Sequence, residues 1–190
     1  MADVSDKGIP AAMFMAMSMD KIRNSVLKYG TDVVSAIKEA NSELIEENDA
    51  GLFVTVWLGV INLLTGHVDY VNAGHEYPAI CKAGGYFIVQ EDIHSGPVAA
   101  LKSMTFDAGS LKLGAGDIIY LYTDGITEAR NPDDEMFRIQ RVLKALNRDR
   151  DASACDIDAN VRAAIAEFVN DTPQFDDMTS LVFKYKGNGV

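Results

Sequence analysis

The chain has little cysteine and no long apolar run. Its two cysteines, Cys81 and Cys155, form no CxxC pair, which indicates a protein of a reducing compartment rather than one held together by disulfides. No stretch approaches the roughly 20 apolar residues that a membrane-spanning helix needs, and no secretory signal peptide is visible. The sequence therefore predicts a cytoplasmic protein without membrane insertion of this domain.

Positive charge is also scarce. The 17 Lys and Arg residues face 28 Asp and Glu residues, for a net charge of -11. This balance argues against nucleic-acid or anionic-membrane surfaces, which need a stripe of basic residues. The longest basic cluster is the modest one over residues 138–150. With 190 residues and 48% hydrophobic content, the chain is expected to form one domain over residues 1–190 with a core of its own.

The pattern of apolar residues predicts an α+β fold. Pro10 suits the first turn of a helix that ends near Tyr29, and Thr31 or Asp32 can cap a second helix. Helices first, strands in the middle, helices again and one last strand indicate antiparallel pairing rather than a βαβ series. The predicted strands lie at residues 53–61, 67–72, 79–82, 86–90, 104–113, 118–122 and 180–185, and the later helices at 137–147 and 157–168.

Four motifs, three of which contain aspartate, stand far apart in the chain, at residues 3–8, 72–75, 123–125 and 176–179. Each acidic motif borders a strongly apolar segment. If those segments pack side by side, their carboxylates converge at one edge of a core. Carboxylates forced together repel one another, and the usual relief is a hard divalent cation with oxygen ligands. The pattern therefore predicts a metal site.

These four motifs resemble, in order and spacing, those of the bacterial phosphatase domain of the SpoIIE and RsbU kind, which belongs to the metal-dependent PP2C-like serine/threonine phosphatases. The likeness covers nearly the whole chain. It implies a four-layer α-β-β-α sandwich of two antiparallel sheets flanked by helices. It also implies a centre of two Mn²⁺ or Mg²⁺ ions at one end of the sheets.

The resemblance assigns a role to five residues. Asp3 would bridge the two ions, the backbone carbonyl of Val4 would contribute, and Asp124 and Asp176 would complete the set, with Asp177 as the alternate to Asp176. Asp3, Asp124 and Asp176 are thus the expected catalytic residues. Taken alone, Asp124 before a glycine reads as an ordinary turn residue, and only its place in the ordered set makes it a ligand.

The implied reaction is hydrolysis of phosphoserine or phosphothreonine by a metal-activated water, with no side-chain nucleophile. By resemblance the substrate is a regulatory protein, a STAS-domain anti-sigma-factor antagonist, and a homodimer is possible. The alternative is a catalytically silent module that keeps the fold and recruits a partner. His75 invites a catalytic role, yet a hydrogen-bonded structural role near a turn is the commoner outcome for such a residue.

Four departures from the family pattern stand out. A strand pair with another acidic metal-site residue normally precedes the first motif, so this sequence is expected to be part of a longer protein with an upstream sensory or receiver module, and the chain alone lacks that ligand. Glycine commonly stands where this chain has Asp6, and often where it has Arg138. Eukaryotic relatives have a histidine at the position of Ser5.

Overall fold

The computed structural model describes residues 1–149 and 152–187, which fall into two compact units. Unit 1 comprises Met1–His75 and Asp92–Lys112. Unit 2 comprises Glu76–Glu91 and the described residues from Leu113 onward. Each unit contains one four-stranded sheet with its own helices.

The sheet of unit 1 is antiparallel, in the order β1-β2-β3-β6. Its strands are β1 (Ala2–Val4), β2 (Val54–Asn62), β3 (His67–Ala73) and β6 (Gly109–Lys112). The expected hairpin joins β2 to β3, with Trp57 opposite Asn72 and Asn62 opposite His67. The turn between them contains Gly66, whose φ of 71° favours glycine.

Two helices accompany this sheet, α1 (Ile9–Tyr29) and α2 (Val33–Glu46). Pro10 occupies the first turn of α1 as expected. Asp32, rather than Thr31, caps α2, because its carboxylate accepts a hydrogen bond from the Ser35 amide. One face of α2 packs with Val54 and Val71 of the sheet to form the core of unit 1. That face consists of Val33, Ile37 and Leu44, all at most 2% exposed.

The sheet of unit 2 is antiparallel as well, in the order β5-β4-β7-β8. Its strands are β4 (Ala79–Cys81), β5 (Phe87–Val89), β7 (Ile118–Tyr122) and β8 (Ser180–Lys184). All five residues of β7 are buried. The helices are α3 (Asp124–Thr127), α4 (Arg138–Leu146) and α5 (Ala154–Val169), and Ser153 caps α5 through the Asp156 amide.

The sequence prediction needs three corrections. Residues 2–4, which were not among the predicted strands, form β1, because their backbone groups pair with β2. The strand expected over residues 104–113 is confined to β6, and only these four residues pair with β3. Residues 124–127 form the unexpected helix α3, which a four-residue segment cannot signal by periodicity. The expectation of two antiparallel sheets with helices is confirmed.

In the described ranges, none of the helices has the length and apolar character to cross a membrane. Arg150, the last residue of the basic cluster noted above, lies outside the described residues.

Candidate functional site

Asp124 stands where the buried strand β7 passes into α3. β7 ends at Tyr122, Thr123 is 3% exposed, and Asp124 begins α3 with an intermediate exposure. Burial raises the pKa of Tyr122, which therefore stays neutral at the strand end, and Glu76 adds to that rise. A rigid strand thus presents a partly exposed carboxylate.

Thr123 joins this motif to the one near the end of the chain. Its hydroxyl donates to the Asp177 carbonyl at 3.1 Å and accepts from the Thr179 amide at 3.0 Å. Its own amide donates to the Thr179 carbonyl at 3.0 Å. In unit 2, three hydrogen bonds from one residue therefore hold the segment of Asp124 beside that of Asp176 and Asp177.

Gly125 allows the two segments to approach closely. A Cβ on Gly125 would lie well within 3.0 Å of the Asp177 carbonyl oxygen, a separation that real Cβ atoms essentially never show. Gly125 is not among the glycines with positive φ. Its role at this position is to leave room for the Asp177 carbonyl.

The Asp176–Asp177 turn has its own internal hydrogen bonds. The Asp176 carboxylate accepts from the Asp177 amide at 2.8 Å, and the Gln174 side chain donates to the Asp176 carbonyl at 2.7 Å. Asp176 has an intermediate exposure and Asp177 is exposed. Both carboxylates lie on the same loop of unit 2 as the contacts to Thr123.

Asp3 and Val4 lie in unit 1, on β1. Asp3 pairs with Thr55 of β2 and Val4 pairs with Val54. The turn that follows is fixed by Ser5, whose amide donates to the Phe53 carbonyl while its hydroxyl accepts from the Phe53 amide. Ser5 therefore shapes the loop.

His75 is a buried, hydrogen-bonded residue. It is 3% exposed, its Nδ1 lies 2.9 Å from the Thr55 hydroxyl, and its amide donates to the Asn72 side chain at 2.8 Å. Thr55 also donates to the Asp3 carbonyl at 3.4 Å. In unit 1 the first two motifs thus meet through Thr55, as the last two meet through Thr123 in unit 2.

Sequence reasoning missed these two threonines. Thr55 looked like an ordinary strand residue, and Thr123 was noted only as part of a motif. The available signal for Thr123 was a hydroxyl at the end of a fully apolar strand, where a buried polar side chain needs a partner.

The donor atoms of the predicted site are of the kind that Mn²⁺ and Mg²⁺ prefer, namely carboxylate and carbonyl oxygens. Among the described residues, however, no group of three or more His, Cys, Asp or Glu side chains is gathered so that it could hold a metal ion. The side chains fit a divalent metal in chemical type, with Asp3 in unit 1 and Asp124, Asp176 and Asp177 in unit 2.

A cavity of about 340 Å³ lies beside the segments of unit 2 that contain Asp124 and the two aspartates Asp176 and Asp177. Ile126 and Ala129 line it from the side of α3, and Phe175 and Met178 line it from either side of the two aspartates. It gives unit 2 a largely apolar recess next to the candidate residues.

Comparison with known proteins identifies relatives over nearly the whole chain. The model of the family described as stage II sporulation protein E (SpoIIE) matches residues 1–186. Protein IcfG of Synechocystis sp. is 30% identical over 206 residues, which cover 94% of this chain and 32% of IcfG. Phosphoserine phosphatase RsbU of Bacillus subtilis is 27% identical over 192 residues, covering 97% of this chain and 54% of RsbU. The chain thus spans about a third of one relative and half of the other.

Solved structures show the fold. The SiaA-PP2C domain of Pseudomonas aeruginosa superposes with a TM-score of 0.82 at 17% identity, covering 97% of this chain and 73% of that one. The catalytic domain of the serine threonine protein phosphatase PstP, solved in complex with 2 manganese ions, superposes with a TM-score of 0.63 at 12% identity, covering 95% and 84%. The expected PP2C-like fold is confirmed.

Proposed function

Because this chain belongs to the SpoIIE family of PP2C-type serine/threonine phosphatases, we propose that it removes phosphate from phosphoserine or phosphothreonine on a regulatory protein, with Mn²⁺ or Mg²⁺ as cofactor. The observation that carries the proposal is the contact of Thr123 with Asp177 and Thr179. It sets two of the four family motifs side by side in unit 2, with their carboxylates partly or fully exposed.

The proposed metal ligands are the Asp3, Asp124 and Asp176 carboxylates and the Val4 carbonyl, with Asp177 as the alternate to Asp176. When bound, a pair of such ions supplies hydroxide at neutral pH and neutralises the charge of the phosphoryl group. The chain's own part is to hold these oxygens in place. Asp3 sits on a paired strand, and Asp124 follows a buried one.

By resemblance, the proposed partner is a phosphorylated STAS-domain anti-sigma-factor antagonist in the bacterial cytoplasm. Support comes from RsbU, whose name is phosphoserine phosphatase. We also propose that residues 1–190 form a single PP2C-like domain of a longer protein with an upstream sensory or receiver module, and that the protein can form a homodimer. The length of both relatives is consistent with further segments.

Phosphate release with added Mn²⁺ tests the function. The assay uses the full-length protein and both p-nitrophenyl phosphate and a phosphoserine-bearing STAS-domain protein. We expect release that EDTA abolishes and that Asp124→Asn reduces by about a hundredfold, because even outer-shell partners of metal ligands contribute about 10–100-fold. Asp133→Asn is the matched control, because Asp133 is an exposed aspartate of the same unit. EDTA-resistant release, or full activity of the Asp124 variant, would refute the proposal.

The alternative is a catalytically silent module that keeps the fold and recruits a partner. Titration calorimetry with Mn²⁺ separates the two readings, on this chain and on the full-length protein. Binding of two ions by the full-length protein supports the enzyme. Absence of binding by both proteins supports a partner-recruiting module.

A further inference from the structure

The basic cluster of this acidic chain lines a groove in unit 2. Arg141, Lys144 and Arg148 follow one another along one side of α4 and its C-terminal end. At spacings of three and four residues they share a face of the helix. Ala164, Glu167 and Phe168 of α5 form the opposite wall, and the groove encloses about 390 Å³.

The groove has an ordered aromatic floor. Phe137, which is 2% exposed, meets the Phe168 ring edge to face at 5.3 Å between centroids. The Arg141 guanidinium lies over that same Phe168 ring at 4.5 Å. It also donates to the Met136 and Phe137 carbonyls at 3.0 and 3.1 Å. One cation is therefore fixed in place before any ligand arrives.

The other two cations are exposed and available. Lys144 and Arg148 form no ion pair with any residue in the described parts of the chain. Glu167 is the one acidic side chain among the described residues that line the groove, and Glu135 lies 3.7 Å from the Arg141 guanidinium. The three cations therefore outnumber the two neighbouring carboxylates by one. One cation near a helix C-terminus is enough for a favourable interaction with the helix dipole. The additional positive charges need another explanation, particularly in a chain of net charge -11.

We propose that this α4–α5 groove is a docking site for an acidic segment of the phosphorylated partner protein, which it binds apart from the phosphorylated residue. The argument is charge complementarity on a preorganised surface, since arginine and aromatic side chains are the residues enriched at protein interfaces. The net negative charge of the chain disfavours nucleic acid as the occupant. The identity of the partner as a phosphoprotein rests on the proposed function, whereas the acidic chemistry of the segment rests on the groove.

Direct binding tests the groove without requiring activity. The probe is a fluorescein-labelled, glutamate-rich peptide, with the same peptide carrying glutamine in place of glutamate as its comparison. By fluorescence anisotropy we expect the full-length protein to bind the glutamate peptide, more weakly at higher salt. The double variant Lys144→Glu/Arg148→Glu should bind it roughly tenfold more weakly, as expected when two partly exposed charge pairs turn from attractive to repulsive.

The control is Arg23→Glu/Lys38→Glu, which changes the net charge equally at two exposed positions of unit 1. It should bind like the parent protein. Equal weakening in both double variants, equal binding of the glutamine peptide, no binding of the glutamate peptide, or tighter binding of a single-stranded oligonucleotide would each overturn the proposal. Circular dichroism checks that the variants fold, and Lys144→Gln/Arg148→Gln gives a milder version of the same test.

Kinetics separate this inference from the function on which it rests. With p-nitrophenyl phosphate, which has no acidic segment, Lys144→Glu/Arg148→Glu should keep the parent kcat and KM. With the phosphorylated STAS-domain protein it should raise KM and leave kcat unchanged. Peptide binding without any phosphatase activity would support the proposed docking site and refute the proposed phosphatase function. Activity with an unchanged KM in the variant would support the phosphatase function and refute the docking site.

Discussion

The Asp177 carbonyl oxygen fills the space that a side chain on Gly125 would need. The added methyl group of Gly125→Ala must therefore push the Asp176–Asp177 loop away from α3. We expect a loss of about 1–3 kcal/mol in the free energy of unfolding, as for other overpacked sites. We also expect loss of metal-dependent phosphatase activity, because Asp124 and Asp176 move apart. Denaturant unfolding and the p-nitrophenyl phosphate assay measure the two effects.

Gly114→Ala is the matched control in the same unit. A Cβ there would meet its nearest atoms, those of the Asp117 carboxylate, at 3.8–4.0 Å, which is ordinary contact. This variant should keep both stability and activity. If the two alanine variants behave alike, the close approach at Gly125 has no consequence for the site.

The Thr123 hydroxyl stabilises the contact between the two segments of unit 2, and its removal should weaken both folding and metal binding. Thr123→Val removes the donor to Asp177 and the acceptor for Thr179 while it keeps the shape of the side chain. Each typical intramolecular hydrogen bond contributes about 0.5–1.5 kcal/mol, so the loss of these two partly buried bonds should cost about 1–3 kcal/mol. We expect that loss in denaturant unfolding, together with a fall in kcat and weaker Mn²⁺ binding by calorimetry, because the two loops separate.

Thr123→Ser keeps the hydroxyl and should restore kcat and Mn²⁺ affinity, although it loses the packing of one methyl group. A merely structural role for Thr123 would lower stability in the valine variant and leave Mn²⁺ affinity unchanged. That outcome would remove Thr123 from the site.

The sequence was sufficient to predict most elements whose signal is local. The first turn of α1 at Pro10, the cap of α2 at Asp32 and the buried strand ahead of Asp124 all agree with the structure. β1 was missed because a three-residue strand is defined by its partner, here β2, and not by its own pattern. β6 was drawn too long because only four residues have a paired neighbour.

The candidate site shows the same difference between local signals and long-range contacts. Asp124 and Asp176 could be predicted because the order of the motifs along the chain is visible in the sequence. That Thr123 joins their segments, and that Gly125 leaves room for a carbonyl, depends on a contact between residues 54 positions apart. Contacts of that range are invisible to local patterns, and only the folded chain shows them.

Arg138 provides the third prediction. Its φ is 62°, a left-handed conformation, and Asp6 has a φ of 71°. These are the two positions at which the resemblance to the family leads us to expect glycine. A residue other than glycine in the left-handed conformation lowers the free energy of unfolding by about 1–3 kcal/mol. Replacing it with glycine removes this strain, but glycine also gives the unfolded chain more conformational freedom, which offsets part of the gain. Arg138→Gly should therefore stabilise the protein by about 0.5–1 kcal/mol in thermal or denaturant unfolding.

Asp6→Gly should have a smaller effect, because aspartate tolerates this conformation and its carboxylate accepts from the Lys7 amide at 2.8 Å. Gln140→Gly is the opposite control. Gln140 is exposed inside α4 and has no positive φ, so glycine there should destabilise by about 1 kcal/mol. Destabilisation by Arg138→Gly would show that strain at this position is absent.

The last prediction concerns pH and the buried Asp117, which is 4% exposed. Its carboxylate accepts from Lys82 Nζ and the Ala83 amide at 2.8 Å each, and from the Gly114 amide at 2.9 Å. Burial alone would raise the pKa of Asp117, but these hydrogen bonds outweigh it and hold the pKa below its ordinary value. Asp117→Asn should therefore cost about 2 kcal/mol near neutral pH.

The pH dependence has a definite sign. A carboxyl group whose pKa is lower in the folded state stabilises fully above the unfolded value and loses that contribution as the pH falls through the folded value. The stability gap between parent and Asp117→Asn should therefore be constant above about pH 5 and shrink below about pH 4. Urea unfolding across this range measures the gap, with exposed Asp133→Asn as the control.

Lys82 is 62% exposed, so Lys82→Gln should cost less than about 1 kcal/mol. If Lys82→Gln costs as much as Asp117→Asn, the ion pair rather than the two backbone amides carries the stabilisation.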